Sequence, residues 1–292
     1  MSTPVPTDLL SPIFNYIRSY DDLAHISLSC KPANVEAERY LYREWPPVTA
    51  YDDPENFADV MERHATFIRS IMDNERRAAL VKSYMPPCLK PNDTDHWEAV
   101  QEALPRMENL KTLKLNHISR EIDFNILEGV QAQLETFYVT WTLPAHQLEE
   151  ILYPFLSDQK ELRRLYVQGH LKTPLPEDAC PELEYLSGSA SAINAILPGR
   201  SKVKQLVWPT YETDRAKQTV EFVETNAGVI KQLEYLLFGR AESYLRTDLQ
   251  VFAPKLLSLQ TLVLRHLGDD NVSVSISPPP FLSLLTVVGI TY

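Results

Sequence analysis

The chain has 292 residues, 44% apolar and 23% charged, which is the composition of folded globular structure with a sizeable core and excludes a predominantly disordered chain. A net charge of -11 with no run of Lys or Arg argues against a nucleic-acid or anionic-membrane surface. Three cysteines, Cys30, Cys88 and Cys180, odd in number and without CxxC spacing, argue against a disulfide framework or a zinc site and point to a reducing compartment.

The first ten residues, MSTPVPTDLL, lack a charged n-region and an apolar core, so no signal peptide is expected. No later apolar run approaches the length of a membrane span. A cytoplasmic or nuclear location is the resulting expectation.

From Val5 to Trp45 the apolar residues fall in three groups at helical spacing: Leu9, Leu10, Ile13, Phe14 and Ile17; Leu23, Ile26 and Cys30; then Val35, Leu41, Tyr42 and Trp45. Thr7 or Asp8 can cap the first helix and Asp21 or Asp22 the second. Lys31-Pro32 ends the second and places a proline in the first turn of the third. Pro12 is discordant deep in a helix, which is resolved if Ser11 caps a helix that starts at Pro12. Three helices of roughly ten residues cannot cover all these stripes among themselves, so a partner is implied.

The order Pro6, Leu9-Leu10, Ile13-Phe14 and Cys30 resembles the F-box pattern of a proline, a paired leucine, an isoleucine-phenylalanine pair and a cysteine near the end of the second helix. The resemblance covers about 40 residues and implies docking on a Skp-family adaptor through Pro6, Leu9, Leu10, Ile13, Phe14, Leu23, Ile26 and Cys30. Cys30 itself is expected as a small buried hydrophobe on an apolar helix face.

Pro46-Pro47 and Asp52-Asp53-Pro54 mark a linker, so the first domain is expected to span residues 1–46, with a linker and degenerate first repeat over 47–108. Phe57, Val60, Met61 and His64 predict a helix, residues 68–71 a short strand, Pro86, Pro87 and Pro91 a loop, and residues 94–104 a helix capped by Asp93 or Thr94.

Over residues 109–292 an LxxLxL-like unit recurs, starting at Leu110, Leu134, Leu162, Leu183, Val203, Leu233, Leu259 and Leu282. Successive starts lie 24, 28, 21, 20, 30, 26 and 23 residues apart, which brackets the range of leucine-rich repeats. Between them lie segments of helical spacing: Phe124, Leu127 and Val130; Leu148, Ile151, Leu152 and Phe155; Ile193 and Ile196; Val220, Phe222 and Val223; Leu245, Leu249 and Phe252. Strand and helix alternating at this period predict an α/β solenoid with a parallel sheet on its concave side. It resembles the irregular leucine-rich repeats found behind F-boxes. Position nine carries no Asn or Cys in any repeat, so the asparagine-ladder form is not expected. The last strand ends without a capping element, so this end is expected to be covered by a partner or the chain to be incomplete.

Side chains alternate along a strand, so the fourth and sixth positions of each unit face the core and the third, fifth and seventh face outward. The outward set includes Lys114, Tyr138, Arg164, Tyr166, Tyr185, Val207, Tyr235, Leu237, Val263 and Arg265. Aromatic and arginine anchors beside an apolar strip of Val207, Leu237 and Val263 form the candidate surface for a target protein.

No GxSxG, HExxH, GxGxxG or phosphate-loop pattern occurs, only 8 glycines are present, and the seven histidines lack ligand spacing. A non-catalytic chain without cofactor is expected. The function implied by the resemblance is a substrate-recognition adaptor of a cullin-based ubiquitin ligase. Two other readings stand beside it: a repeat scaffold outside any ligase, and an enzyme with an unrecognised site.

Overall fold

The computed structural model describes residues 9–17, 19–45, 57–87, 94–118, 126–141, 143–209, 222–240, 252–266 and 286–291. It forms two compact units, residues 1–116 with 121–134, and residues 117–120 with 135–292. The architecture is α/β, with parallel strands following one another in chain order within each unit.

In the first unit, helices α1 (Leu10–Phe14), α2 (Tyr20–Ser27) and α3 (Lys31–Leu41) close around Phe14, Leu23, Ala33 and Ala37, with Leu10, Ile17, Ile26, Tyr40 and Leu41 half-buried against them. The core face of α3 is thus built on alanines, which let the helices approach closely, rather than on Val35. Tyr42 and Trp45 lie beyond the helix end. Several local expectations change for identifiable reasons. Helix α1 starts at Leu10, so Pro12 falls in its first turn, where no backbone hydrogen bond is lost, and Ser11 is not the cap. Thr7 and Asp8 lie outside the described residues. Helix α2 is capped by Ser19, whose hydroxyl accepts from the Asp22 amide at 3.2 Å; Asp21 and Asp22 instead occupy the first turn, where the helix dipole favours them. Cys30 caps α3 in extended conformation and is exposed, because α2 has already ended at Ser27 and carries no stripe that far.

Helix α4 (Phe57–Met72) absorbs residues 68–71, expected as a strand. Its buried residues, His64, Phe67, Ile68 and Ile71, keep the 3–4 spacing to the end, so the apolar stripe never changes period. A short α5 (Glu75–Ala78) leads into β1 (Ser83–Tyr84), then α6 (Thr94–Ala103), a tight turn at residues 104–106, and β2 (Thr112–Ile118). Strands β1 and β2 are parallel, with Tyr84 opposite Leu113. Strand β1 has no counterpart in the predicted series.

The division into units does not fall at residue 46. Glu38 of α3 is buried, and its Oε1 accepts from Arg77 Nε and Nη2 at 3.0 and 2.9 Å, while Arg76 reaches Oε2. The Arg77 guanidinium also lies 5.3 Å from the centroid of Tyr42, and Trp45 packs on Phe67 at 4.8 Å. The Lys82 and Ser83 amides donate to the Arg43 carbonyl at 2.7 and 3.1 Å. The three helices therefore share one unit with α4, α5 and β1, held by two arginines on the buried Glu38 carboxylate and by a main-chain ladder.

The second unit contains β3 (Thr136–Trp141), β4 (Arg164–Gln168), β5 (Tyr185–Gly188), β6 (Gln205–Pro209), β7 (Tyr235–Arg240), β8 (Thr261–His266) and β9 (Thr286–Thr291). Strands β2 through β8 each start two residues after the first apolar residue of their repeat. The fourth positions align in register across the unit: Phe137, Leu165, Leu186, Leu206, Leu236 and Leu262, all buried. In the last repeat the partner of Leu262 is Val287, not Leu285, so its frame moves by two residues. A shift of two leaves the face unchanged, and the pattern alone cannot detect it.

Helices α7 (Ala145–Asp158) and α8 (Ala190–Ile196) come after β3 and β5 as expected, and Phe155 of α7 meets Phe137 at 5.1 Å. Residues 222–225 are helical and precede α9 (Ala227–Ile230); Phe222, Phe252 and Trp208 form an aromatic cluster, with Trp208 and Phe222 4.6 Å apart. Residues 126–129 form a turn rather than a helix. Phe124, Val220, Leu245 and Leu249 lie outside the described residues.

Candidate functional site

Two surfaces, one in each unit, carry the residues singled out from the sequence. In the three-helix segment, Leu9 is 49% exposed and Ile13 47% exposed, while Phe14 is 2% exposed and Leu23 is equally deep. Phe14 and Leu23 are thus core residues with nothing to offer a partner, a correction to the candidate set. A helix of five residues can turn only part of its stripe inward, and Phe14 occupies that part against Tyr40 at 6.1 Å. Leu10 and Ile26 are half-buried around it and Cys30 is exposed. Pro6 lies outside the described residues.

Three residues of this surface do not belong to the sequence-derived set: Tyr16 at 86% exposed, Tyr20 at 38% and Leu28 at 83%. Tyr16 and Leu28 follow the last residues of α1 and α2, and Tyr20 is the first residue of α2, so helical spacing alone gave no reason to single them out.

In the second unit the outward positions of the strands alternate with buried ones as the pleat requires. Tyr138 and Tyr166 are register partners, and their rings stack with centroids 4.0 Å apart and planes 4° from parallel. The Tyr166 hydroxyl donates to Gln168 Oε1 at 3.0 Å, which fixes the ring's direction. Arg164 is exposed and lies opposite Tyr185. Burial raises the Tyr185 phenol above its ordinary value, opposed by the Ser187 hydroxyl and Arg164 and reinforced by Tyr235. Tyr185 and Tyr235 both pair in register with Gln205, so one residue separates them across the sheet.

Val207, Leu237 and Val263 are in register on adjacent strands, Val207 and Leu237 half-buried and Val263 buried. The strip is real, but Val263 offers little area. Lys114 lies on β2 of the first unit. The side chain of Arg265 lies outside the described residues.

Groups that could carry other chemistry have structural roles. His64 is buried, with its Nε2 2.8 Å from the Tyr84 hydroxyl. Burial pushes the Cys180 thiol up to about 12, so it stays protonated and donates to the Leu156 carbonyl at 3.3 Å. The buried Arg200 guanidinium donates to the carbonyls of Leu175, Pro176 and Pro198 and ties the loop between β4 and β5 to the turn after α8. Among the described residues no group of three or more His, Cys, Asp and Glu could hold a metal ion, and no helix is long and apolar enough to cross a membrane. No protein-family model matches the chain, and no curated protein matches it.

Proposed function

We propose that the chain is the substrate-binding adaptor of a cullin-type ubiquitin ligase: residues 5–45 act as an F-box that docks on a Skp-family adaptor, and the strand face of the second unit, an irregular leucine-rich repeat, holds a target protein. The observation that supports this reading is where apolar surface is left uncovered. Six large hydrophobic side chains are exposed among the described residues, and five of them, Leu9, Ile13, Tyr16, Tyr20 and Leu28, fall within residues 9–28. Apolar area removed from water contributes about 25 cal/mol per Å², so a partner helix laid over these residues gains affinity that scattered apolar residues would not supply. The chain then needs no catalytic group. It raises the effective concentration of a target beside a ubiquitin-charged enzyme, and proximity supplies the rate.

Full-length chain bearing Ile13→Asp or Leu28→Asp is expected to lose capture of a Skp-family protein in a purified pull-down, by about tenfold or more for one buried charge at the interface. Both positions are exposed, so the fold should survive, whereas Phe14→Asp would unfold the three helices and be uninformative. Undiminished capture by both variants, with unchanged circular dichroism, would refute the docking assignment.

For the second surface, Tyr166→Asp and Leu237→Asp place charges in the stacked tyrosine pair and in the centre of the apolar strip. Each is expected to reduce retention of a target by about tenfold, the effect of losing one interface anchor, without lowering the melting temperature by more than a few degrees. Equal retention by wild type and both variants would remove the strand face from the proposal.

A further inference from the structure

The strands of the second unit present their third positions as one row across the sheet. Register pairing sets Arg164 of β4 beside Tyr185 of β5, Tyr185 beside Gln205 of β6, and Gln205 beside Tyr235 of β7. Two half-buried tyrosines therefore flank an exposed glutamine, and an exposed arginine stands on the far side of Tyr185. The fifth positions form the adjoining row, in which the stacked pair of Tyr138 and Tyr166 is followed by the buried Ser187 and then by Val207 and Leu237.

The outward positions of β3 to β7 contain no Asp or Glu, in a chain that has 39 of them, and Arg164 is their one charged residue. Its register neighbours, Thr136 and Tyr185, are uncharged, and among the described residues its guanidinium makes no ion pair or side-chain hydrogen bond. A lone guanidinium on an otherwise neutral face complements a single carboxylate. The spacing of the row adds a second constraint. Neighbouring strands lie about 4.8 Å apart, so Arg164 and Gln205 are separated by about 9.6 Å, as are Tyr185 and Tyr235. In a polyproline helix, with three residues per turn and a rise of about 3.1 Å, side chains i and i+3 point the same way about 9.3 Å apart. An extended strand repeats its side chains every 6.7 Å or so and an α-helix turns about every 5.4 Å, and neither matches the row. The interval between Tyr185 and Tyr235 also admits one ring, with contacts of about 3.5–4 Å on each side.

We infer that this row binds a proline-rich peptide segment, with a proline between Tyr185 and Tyr235 above Gln205 and an Asp or Glu three residues away whose carboxylate pairs with Arg164. This deepens the proposed use of the strand face as the target surface, and it rests on that reading. A polyproline segment is ordered before it binds, so little chain entropy is lost, and aromatic side chains are its usual receptors. Its carbonyls take no part in internal hydrogen bonds and are open to the tyrosine hydroxyls. Val207 and Leu237, on the adjoining row, take apolar flanking residues. A basic segment is disfavoured, because Arg164 repels it.

The test is fluorescence anisotropy with the full chain and a short labelled peptide of the pattern Pro-x-x-Pro-x-x-Glu, uncharged apart from the glutamate. Control peptides replace the glutamate by glutamine, move it by one residue, or replace the prolines by alanine. The parent peptide should bind about tenfold or more tightly than each control. Arg164→Glu should lower its affinity by about tenfold or more and should restore binding when the peptide carries lysine in place of glutamate, a rescue that a merely structural role would not produce. Gln205→Trp, at an exposed position, should fill the space between the tyrosines and lower affinity by about tenfold with unchanged circular dichroism. No binding of the parent peptide, equal affinity for any control, full affinity in either variant, or no rescue by the lysine peptide would each overturn the inference. If the parent peptide fails to bind while Tyr166→Asp and Leu237→Asp still lose a target, the strand face remains the target surface and the proline-rich chemistry alone falls. Unchanged retention by those two variants removes the surface, and this inference with it.

Discussion

Replacing Gly188 with alanine is expected to destabilise the second unit by about 3 kcal/mol, the upper part of the range for overpacking a tight site. A Cβ built on Gly188 would sit 2.2 Å from the Val167 carbonyl oxygen and 3.2 Å from its carbon. Both are backbone atoms of the register partner on β4, so no rotamer change can clear the space. The close approach arises because β5 has only four residues and turns at once into α8, whose cap, Ser189, accepts from the Ala192 amide at 3.2 Å. Moving β5 away would break the cap or the ladder to β4.

For a unit of this size the melting temperature should fall by about 6–12 °C. Gly228→Ala is the control, since nothing lies within 4 Å of a Cβ there and the residue is in α9. It should raise stability by about 0.5–1 kcal/mol through helix propensity and reduced freedom of the unfolded chain. Matching thermal melts for the two variants would show that the Gly188 contact is not a constraint.

The second large effect is expected in acid. His64 is buried and its ring has a pKa lowered from 6.5 to about 3, first because burial disfavours the charged form and second because the charge of His96 opposes it. Trp45 at 5.3 Å and Tyr84 at 6.0 Å enclose the ring. Tyr84 is wholly buried, and burial holds its phenol well above the ordinary value, so no anion is available from it to stabilise an imidazolium.

The unfolded chain therefore takes up a proton that the folded one refuses. Stability from this group is fully present above pH 6.5 and is lost as pH falls from 6.5 towards 3, at about 1.4 kcal/mol per pH unit and on the order of 4–5 kcal/mol in all. Between pH 6.5 and 4.5, before most carboxylates titrate, the loss should be about 2–3 kcal/mol. Urea midpoints for wild type and His64→Gln at several pH values in that interval give the test. The variant should be less stable at pH 7 and much less sensitive to pH; parallel curves would show that His64 does not govern acid stability.

Much of the second unit was legible in the sequence because its determinant is local. A strand buried on one face must alternate, and Leu134, Leu162, Leu183, Val203, Leu233 and Leu259 each announce a strand two residues on. Side-chain direction then came without further information, which is why Tyr138, Tyr166, Val207 and Leu237 were placed on the outward face. Gly188 shows where the reading stopped: the pattern asks for an apolar residue at the sixth position, and only the carbonyl of a neighbouring strand explains why none can stand there.

The three-helix segment was legible as helices but not as a surface. Spacing groups Leu9, Ile13 and Phe14 on one helix and Leu23 with Ile26 on the next, yet it does not say which of them the small core has room for. Phe14 and Leu23 fill it, and Leu9 and Ile13 are left in water with Tyr16 and Leu28. Cys30 was misplaced for a related reason, since three residues decide whether it closes one helix or caps the next.

The sequence by itself determined the alternation of strand and helix, the order of the parallel strands and the inward and outward sides of each, because those depend on the period of apolar residues along a few turns of chain. The tertiary structure decided what is charged, close or strained. Arg43, Lys82 and Lys111 form no basic run, but they become neighbours through main-chain bonds between segments that only the fold brings side by side. Coulomb interaction depends on distance in space, and a string of letters contains only distance along the chain.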